Sequence, residues 1–126
     1  MIFDFDHFKK FNDLYGHDVG DGVIEAFSEI LRICSPTSAI LARLDGEEFA
    51  VLLNDTSEAD AMSLGNTIRG HLVHLRLDRC LEQQITVSAG LAMSRGFASL
   101  PELMKKADNA LYRAIREGRN RVCSVH

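Results

Sequence analysis

Apolar and polar residues recur along this chain with two periods, and the switches between them outline the elements. Ile2–Phe5 is a short apolar run interrupted by Asp4, and Phe8 and Phe11 in the stretch after it have helical spacing. A strand and a short helix over residues 6–12 are expected. Gly16 and Gly20 read as the punctuation of a polar loop that also holds Asp13, Asp18 and Asp21. Beyond it Val23, Ala26, Phe27, Ile30, Leu31 and Cys34 trace one face of a helix that ends before Pro36.

Residues 38–44 and 49–53 are β-prone runs separated by Asp45-Gly46 and two glutamates. Asp-Gly is a strong hairpin signal because both residues tolerate a positive φ, so a hairpin is expected. Ser57 with Asp60, and Ser99 with Glu102, have capping-box spacing. Each opens a helix, one with the stripe Ala61, Leu64, Ile68, Leu72 and one with Leu103, Ala107, Ala110, Leu111, Ala114. Residues 85–93 alternate with period two, Gly118 stops the last helix, and residues 121–125 suit an edge strand. The order β-α-ββ-α-β-α with a final strand fits an α+β fold, a ferredoxin-like, palm-like sandwich with a largely antiparallel central sheet flanked by helices.

Composition narrows this little: 126 residues, 46% hydrophobic and 25% charged, suit a single domain over residues 1–126. A net charge of -4 gives no footprint for nucleic acid. Cys34, Cys80 and Cys123 are odd in number and widely spaced, which argues against a disulfide framework or zinc site and for a reducing cytoplasm. The opening residues meet charge too early for a secretory signal, and no apolar run approaches the roughly 18 residues of a membrane helix. No membrane contact by this chain is expected.

Candidate chemistry begins with Asp4 at the end of the first strand and Glu47 at the hairpin tip. Hard divalent cations prefer such carboxylates, and Mg²⁺ completes its shell with water and substrate phosphates. The bland alternative makes Asp4 a helix cap and Glu47 a solvated turn residue. Asp13, Asp18 and Asp21 lack calcium-loop spacing and suit an Asx-rich turn. Residues 113–121 are basic, which a helix dipole or a triphosphate would each explain. His71 and His74 lack a third metal ligand and are assigned to the surface, and no P-loop, nucleophile-elbow or Rossmann motif is present.

Taken jointly, Asp4-Phe5-Asp6-His7-Phe8-Lys9, Asn12-Asp13, Gly16-His17-Asp18-Val19-Gly20-Asp21, Arg43-Leu44-Asp45-Gly46-Glu47-Glu48-Phe49, Val87-Ser88-Ala89-Gly90, Ala107-Asp108, Ala110-Leu111-Tyr112 and Gly118-Arg119-Asn120 have an order and spacing that resemble GGDEF domains. The resemblance spans residues 1 to about 122. It implies a diguanylate cyclase that condenses two GTP into cyclic di-GMP and two pyrophosphates across a homodimer. In that reading Asp4, the Phe5 backbone carbonyl and Glu47 hold Mg²⁺ or Mn²⁺. Lys9, Phe8, Gly46 and Arg119 meet the phosphates and ribose, while Asn12 and Asp21 read the guanine edge. Glu47 and Glu48 join Lys9 as the catalytic candidates, Glu47 being favoured because neighbouring strand residues face opposite ways.

Some positions depart from the family pattern. Asp45 replaces the first glycine of the signature, and Ile115 stands where the family has the lysine of Tyr-x-Ala-Lys. Ile115 is expected to share a helix face with Arg119, four residues on, and Arg116 points elsewhere. Pro36 and Ala39 occupy the places of the inhibitory R-x-x-D motif, so no such site is expected. The segment and helix that usually precede the first strand are not in these residues, which predicts an exposed apolar sheet face and a fragment prone to associate. The alternative is a degenerate module that binds GTP or a partner without catalysis.

Overall fold

The structure is a computed structural model that describes residues 1–75, 85–95 and 99–125. Cys80 lies outside the described residues. The elements run β1 (Ile2–Phe5), α1 (Phe8–Tyr15), α2 (His17–Cys34), β2 (Ile40–Asp45), β3 (Glu48–Leu52), α3 (Glu58–Val73), β4 (Val87–Leu91), α4 (Leu100–Arg116) and β5 (Val122–Ser124). They form one five-stranded sheet in the order β2-β3-β1-β4-β5, antiparallel except where β5 joins β4. This is the expected α+β fold, with the first four strands in ferredoxin-like order and β5 added at the edge.

Strand alternation sends β1 side chains to two packed faces. Phe3 and Phe5 join Val23, Phe27 and Leu31 of α2 and Ile68 and Leu72 of α3 in the larger core. Phe5, Phe27 and Phe49 pack with ring centroids 5.1–6.0 Å apart. Each such buried ring contributes roughly 1.5–3 kcal/mol by leaving water. On the opposite face Ile2 meets Ala107 and Leu111 of α4. That helix lies directly on the strand: a Cβ at Gly90 would stand 2.1 Å from the Ala107 carbonyl oxygen and 2.2 Å from the Leu111 nitrogen. Beside α4 this face is open, with Ile40 and Leu44 exposed along a groove that Ala50, Leu52, Leu103 and Met104 also line. The exposed apolar sheet face expected from sequence is therefore present.

Both caps appear where the spacing placed them, Ser57 Oγ accepting from the Asp60 N–H at 3.1 Å and Ser99 Oγ from the Glu102 N–H at 3.4 Å. The polar loop at residues 16–20 does not. Only Gly16, with φ 92°, separates α1 from α2, and Asp18, Gly20 and Asp21 are helical. Gly20 serves the helix crossing, since a Cβ there would fall 1.8 Å from Asn12 Oδ1. A second correction concerns the hairpin, which forms without a positive φ at Asp45 or Gly46.

Candidate active site

The register of the sheet builds the site. Asp4 pairs with Glu48 across the antiparallel β1 and β3, so both side chains leave the sheet on the same face, the one covered by α4. The Phe5 N–H donates to the Glu47 carbonyl at 3.3 Å and ties the hairpin turn to the end of β1. Arg43 closes the turn from outside, its Nη2 donating to the Gly46 carbonyl at 2.8 Å and its Nε to that of Asp45 at 3.3 Å. Glu47 and Glu48 are thus held half-buried against Asp4.

The electrostatics follow from this crowding. Burial first, then the Glu47 carboxylate and a hydrogen bond shared with it, then Glu48 and Asp6, push the Asp4 pKa from 3.8 up to about 7. One Asp4 oxygen, Oδ1, is buried without a hydrogen-bond partner. Glu48 is also raised, by burial and by the charges of Asp108, Asp45 and Glu47. The helix-cap reading of Asp4 fails, because α1 is capped by His7 and receives no side-chain cap bond.

An orphaned carboxylate oxygen, a second carboxylate beside it and main-chain carbonyls make an all-oxygen donor set that suits a hard divalent cation. Such a charge would also relieve the repulsion that raises Asp4. Among the described residues no group of three His, Cys, Asp or Glu side chains is gathered closely enough to form a metal cage. Two carboxylates are the number Mg²⁺ commonly takes from a protein.

Other candidates fall around this centre. Lys9 is exposed on the first turn of α1, and Phe8 beside it is buried, its ring against Phe5 at 5.1 Å, which leaves only its main chain for a ligand. Asn12 Oδ1 is buried without a partner and lies against Gly20, next in the chain to the exposed Asp21. Gly46 is exposed in the hairpin turn. Arg119 is half-buried in the turn after α4, not on the helix, since α4 ends at Arg116. The helix-face pairing of Ile115 with Arg119 is therefore wrong, and Ile115 packs with Met104 against Ile2 and Leu111. Arg116 lies over the Tyr112 ring at 5.6 Å. His71 and His74 are exposed.

Three residues gained roles that the sequence reading had not given them. Asp108 charges the surroundings of Glu48, Arg43 clasps the turn, and Asp6 gathers three hydrogen bonds from two segments. Their only sequence signal was membership of the matched motifs.

Residues 1–121 match the family model described as diguanylate cyclase, GGDEF domain. The chain belongs to the GGDEF family. It is 42% identical over 125 residues to diguanylate cyclase DgcM of Escherichia coli strain K12, covering 99% of this chain and 30% of that protein. The response regulator PleD of Caulobacter vibrioides is 38% identical over 128 residues, covering 97% of this chain and 28% of that protein. This GGDEF chain thus spans about 30% of the curated relatives it matches. Among solved structures, the GGDEF domain of DgcB from Caulobacter crescentus in complex with c-di-GMP superposes with TM-score 0.91 at 35% identity, over 98% of this chain and 74% of that one. The active GGEEF domain of a diguanylate cyclase from Vibrio cholerae gives 0.92 at 30% identity, over 99% and 80%. No helix among the described residues of this GGDEF chain is long and apolar enough to cross a membrane.

Proposed function

We propose that this GGDEF chain is a diguanylate cyclase module, working in the cytoplasm as a homodimer in which each copy presents one GTP. The observation that carries the reading is the unpartnered, proton-hungry Asp4 set against Glu47 and Glu48 at one strand end. Asp4, the Phe5 carbonyl and Glu47 would hold Mg²⁺ or Mn²⁺, which when bound neutralises triphosphate charge. The guanidinium of Arg119, the ammonium of Lys9 and the open main-chain N–H groups at the start of α1 hold phosphate oxygens, with Gly46 leaving room beside them. Asn12 and Asp21 bind the guanine edge: an amide and a carboxylate complement O6 and the N1 and N2 donors and mismatch adenine.

In each half-reaction the 3′-hydroxyl oxygen of one GTP forms a bond to the α-phosphorus of the other. The α–β phosphoanhydride bond breaks, and pyrophosphate carries away the electron pair. Glu47 or Glu48 accepts the hydroxyl proton, and the raised affinity of Glu48 for protons suits it to that role. Two such events close the ring as cyclic di-GMP. Facing two chains brings the reactants to high effective concentration, which is why a dimer is required.

The second reading, a nucleotide-binding module without catalysis, is favoured by Asp45, which adds charge beside Glu48, and by Ile115, whose apolar contacts supply no phosphate ligand. Incubating the chain, fused to a dimerising coiled coil, with GTP and Mg²⁺ and separating the products decides between them. Cyclic di-GMP is expected; its absence in the forced dimer, with GTP still bound, would establish the second reading instead.

A further inference from the structure

Two residues beyond Asp4, a second aspartate is fully engaged. Asp6 is buried, and its Oδ1 accepts from Ser88 Oγ at 2.6 Å. Its Oδ2 accepts from Thr86 Oγ1 at 2.7 Å and from the main-chain N–H of Asn120 at 3.0 Å. The last of these bonds ties the end of β1 to the turn between α4 and β5. That turn is conformationally demanding: Gly118, Arg119 and Asn120 have φ values of 127°, 65° and 48°. Two of them carry a Cβ in the left-handed region, a conformation that persists only where the surroundings over-determine it.

The tethers on this turn are specific. The Arg119 N–H donates to the Ala114 carbonyl at 2.9 Å, and Asn120 Oδ1 accepts from Arg69 Nη1 at 3.1 Å. Every tether acts on main chain or on Asn120. The neighbouring arginines are engaged: Arg113 with Glu117 and the Ser124 carbonyl, Arg116 over Tyr112, and Arg121 on the Arg119 carbonyl. The Arg119 guanidinium alone among these four makes no hydrogen bond, ion pair or ring contact among the described residues.

We infer that Asp6 is a positioning residue that locks the left-handed turn and thereby presents Arg119, its backbone already ordered, to the triphosphate at the end of β1. The inference rests on the cyclase reading for the identity of the anion. Its physical content is preorganisation. A turn fixed before binding spares the complex the entropy of ordering the backbone that carries the long side chain. Asp6 itself touches no phosphate and acts only through Arg119.

Asp6→Asn tests this, because it preserves shape while removing the charge that strengthens the bond from the Asn120 N–H. Removing a negative charge near the site would by itself tighten a polyanion, so weaker GTP binding isolates the geometric effect. In the full chain, Asp6→Asn is expected to weaken GTP about tenfold, and less than about twofold in an Arg119→Ala background, since residues acting as one unit are not additive. Equal losses in both backgrounds overturn the inference. Amide hydrogen exchange gives a ligand-free readout: Asn120 and Arg119 should lose protection in Asp6→Asn while β1 and β4 keep theirs, and an unchanged Asn120 overturns the lock. Ser88→Ala, which removes a bond to the other Asp6 oxygen, should lower stability and leave GTP affinity alone. Should Asp6→Asn not fold, Arg69→Ala loosens the second tether from a helix surface and is expected to weaken GTP about two- to threefold; no change there counts against the inference. A parent chain that binds no GTP refutes the cyclase reading and Arg119's assigned ligand, while the exchange result still judges the lock.

Discussion

Replacing Asp4 by asparagine should make the folded chain more stable at neutral and alkaline pH while removing the proposed cyclase activity. The native carboxyl is half-buried, has one orphaned oxygen, and sits among Glu47, Glu48 and Asp6, which together with burial raise its pKa from 3.8 to about 7. A folded-state value above the unfolded one means that the native chain holds this proton more tightly than the unfolded chain does. Stability from the group is then fully present below about pH 4 and is lost as pH rises through about 7. Taken in full, the displacement corresponds to about 4 kcal/mol; because the group is about half open to solvent, screening reduces this to about 1–2 kcal/mol. Urea unfolding without divalent cations should therefore show Asp4→Asn gaining about 1–2 kcal/mol over the parent near pH 8 and close to nothing near pH 4. Added Mg²⁺ should stabilise the parent near pH 8 and leave the variant unmoved, because only the parent retains the paired carboxylates. A gain that is the same at both pH values, or no gain at all, would refute the electrostatic reasoning.

Other positions give independent checks. Gly20→Ala forces a Cβ to within 1.8 Å of Asn12 Oδ1, so the amide must move; displacement of a binding group by about 1 Å costs up to about 100-fold, and competition of GTP with ATP should show guanine preference falling toward that of Asn12→Ala. Gly90→Ala meets main-chain atoms of α4 that cannot rotate away; a loss of about 2–3 kcal/mol should lower the thermal midpoint by roughly 6–15 °C, and an unchanged midpoint would contradict the close approach of α4 to β4. Asp45→Gly loses a 2.7 Å bond from the Gly46 N–H and removes a charge; at about 8 Å from a phosphate that repulsion is roughly 0.5–2 kcal/mol per charge, so GTP should bind about two- to thirtyfold more tightly at low salt, with the advantage shrinking as salt rises.

The sequence conveyed the sheet and its helices well, because alternation in β1 and β4 and the stripes of α2, α3 and α4 are local patterns with a single packing solution. It failed where a residue's duty is set by something distant. Gly20 looked like loop punctuation, yet it is a helical residue whose missing Cβ admits Asn12 from another helix. Asp45-Gly46 announced the hairpin correctly for a reason that does not operate: neither residue has a positive φ, the register shifts between Arg43 and Asp45, and Arg43 holds the turn through its carbonyls. Arg119 was placed by extending helical spacing past the point where α4 ends.

The two aspartates of β1 and its exit carry the same lesson to the site. Read as letters, Asp4 and Asp6 are equivalent carboxylates two residues apart. In the fold their hydrogen-bond accounts differ. Asp6 is satisfied by Ser88, Thr86 and Asn120, and a group so engaged has little left to offer a ligand. Asp4 and Asn12 each keep a buried oxygen without a partner, a state that costs about 1–3 kcal/mol per group and is relieved when a ligand arrives. Unpaired acceptors at the strand end and the helix crossing therefore suit the cation and the base of the proposed function, and the paired aspartate between them marks what holds the frame still. That division explains why the Asp4→Asn and Asp6→Asn substitutions, alike in chemistry, should move stability in opposite directions near pH 8: the first relieves an unmet carboxylate, and the second breaks a met one.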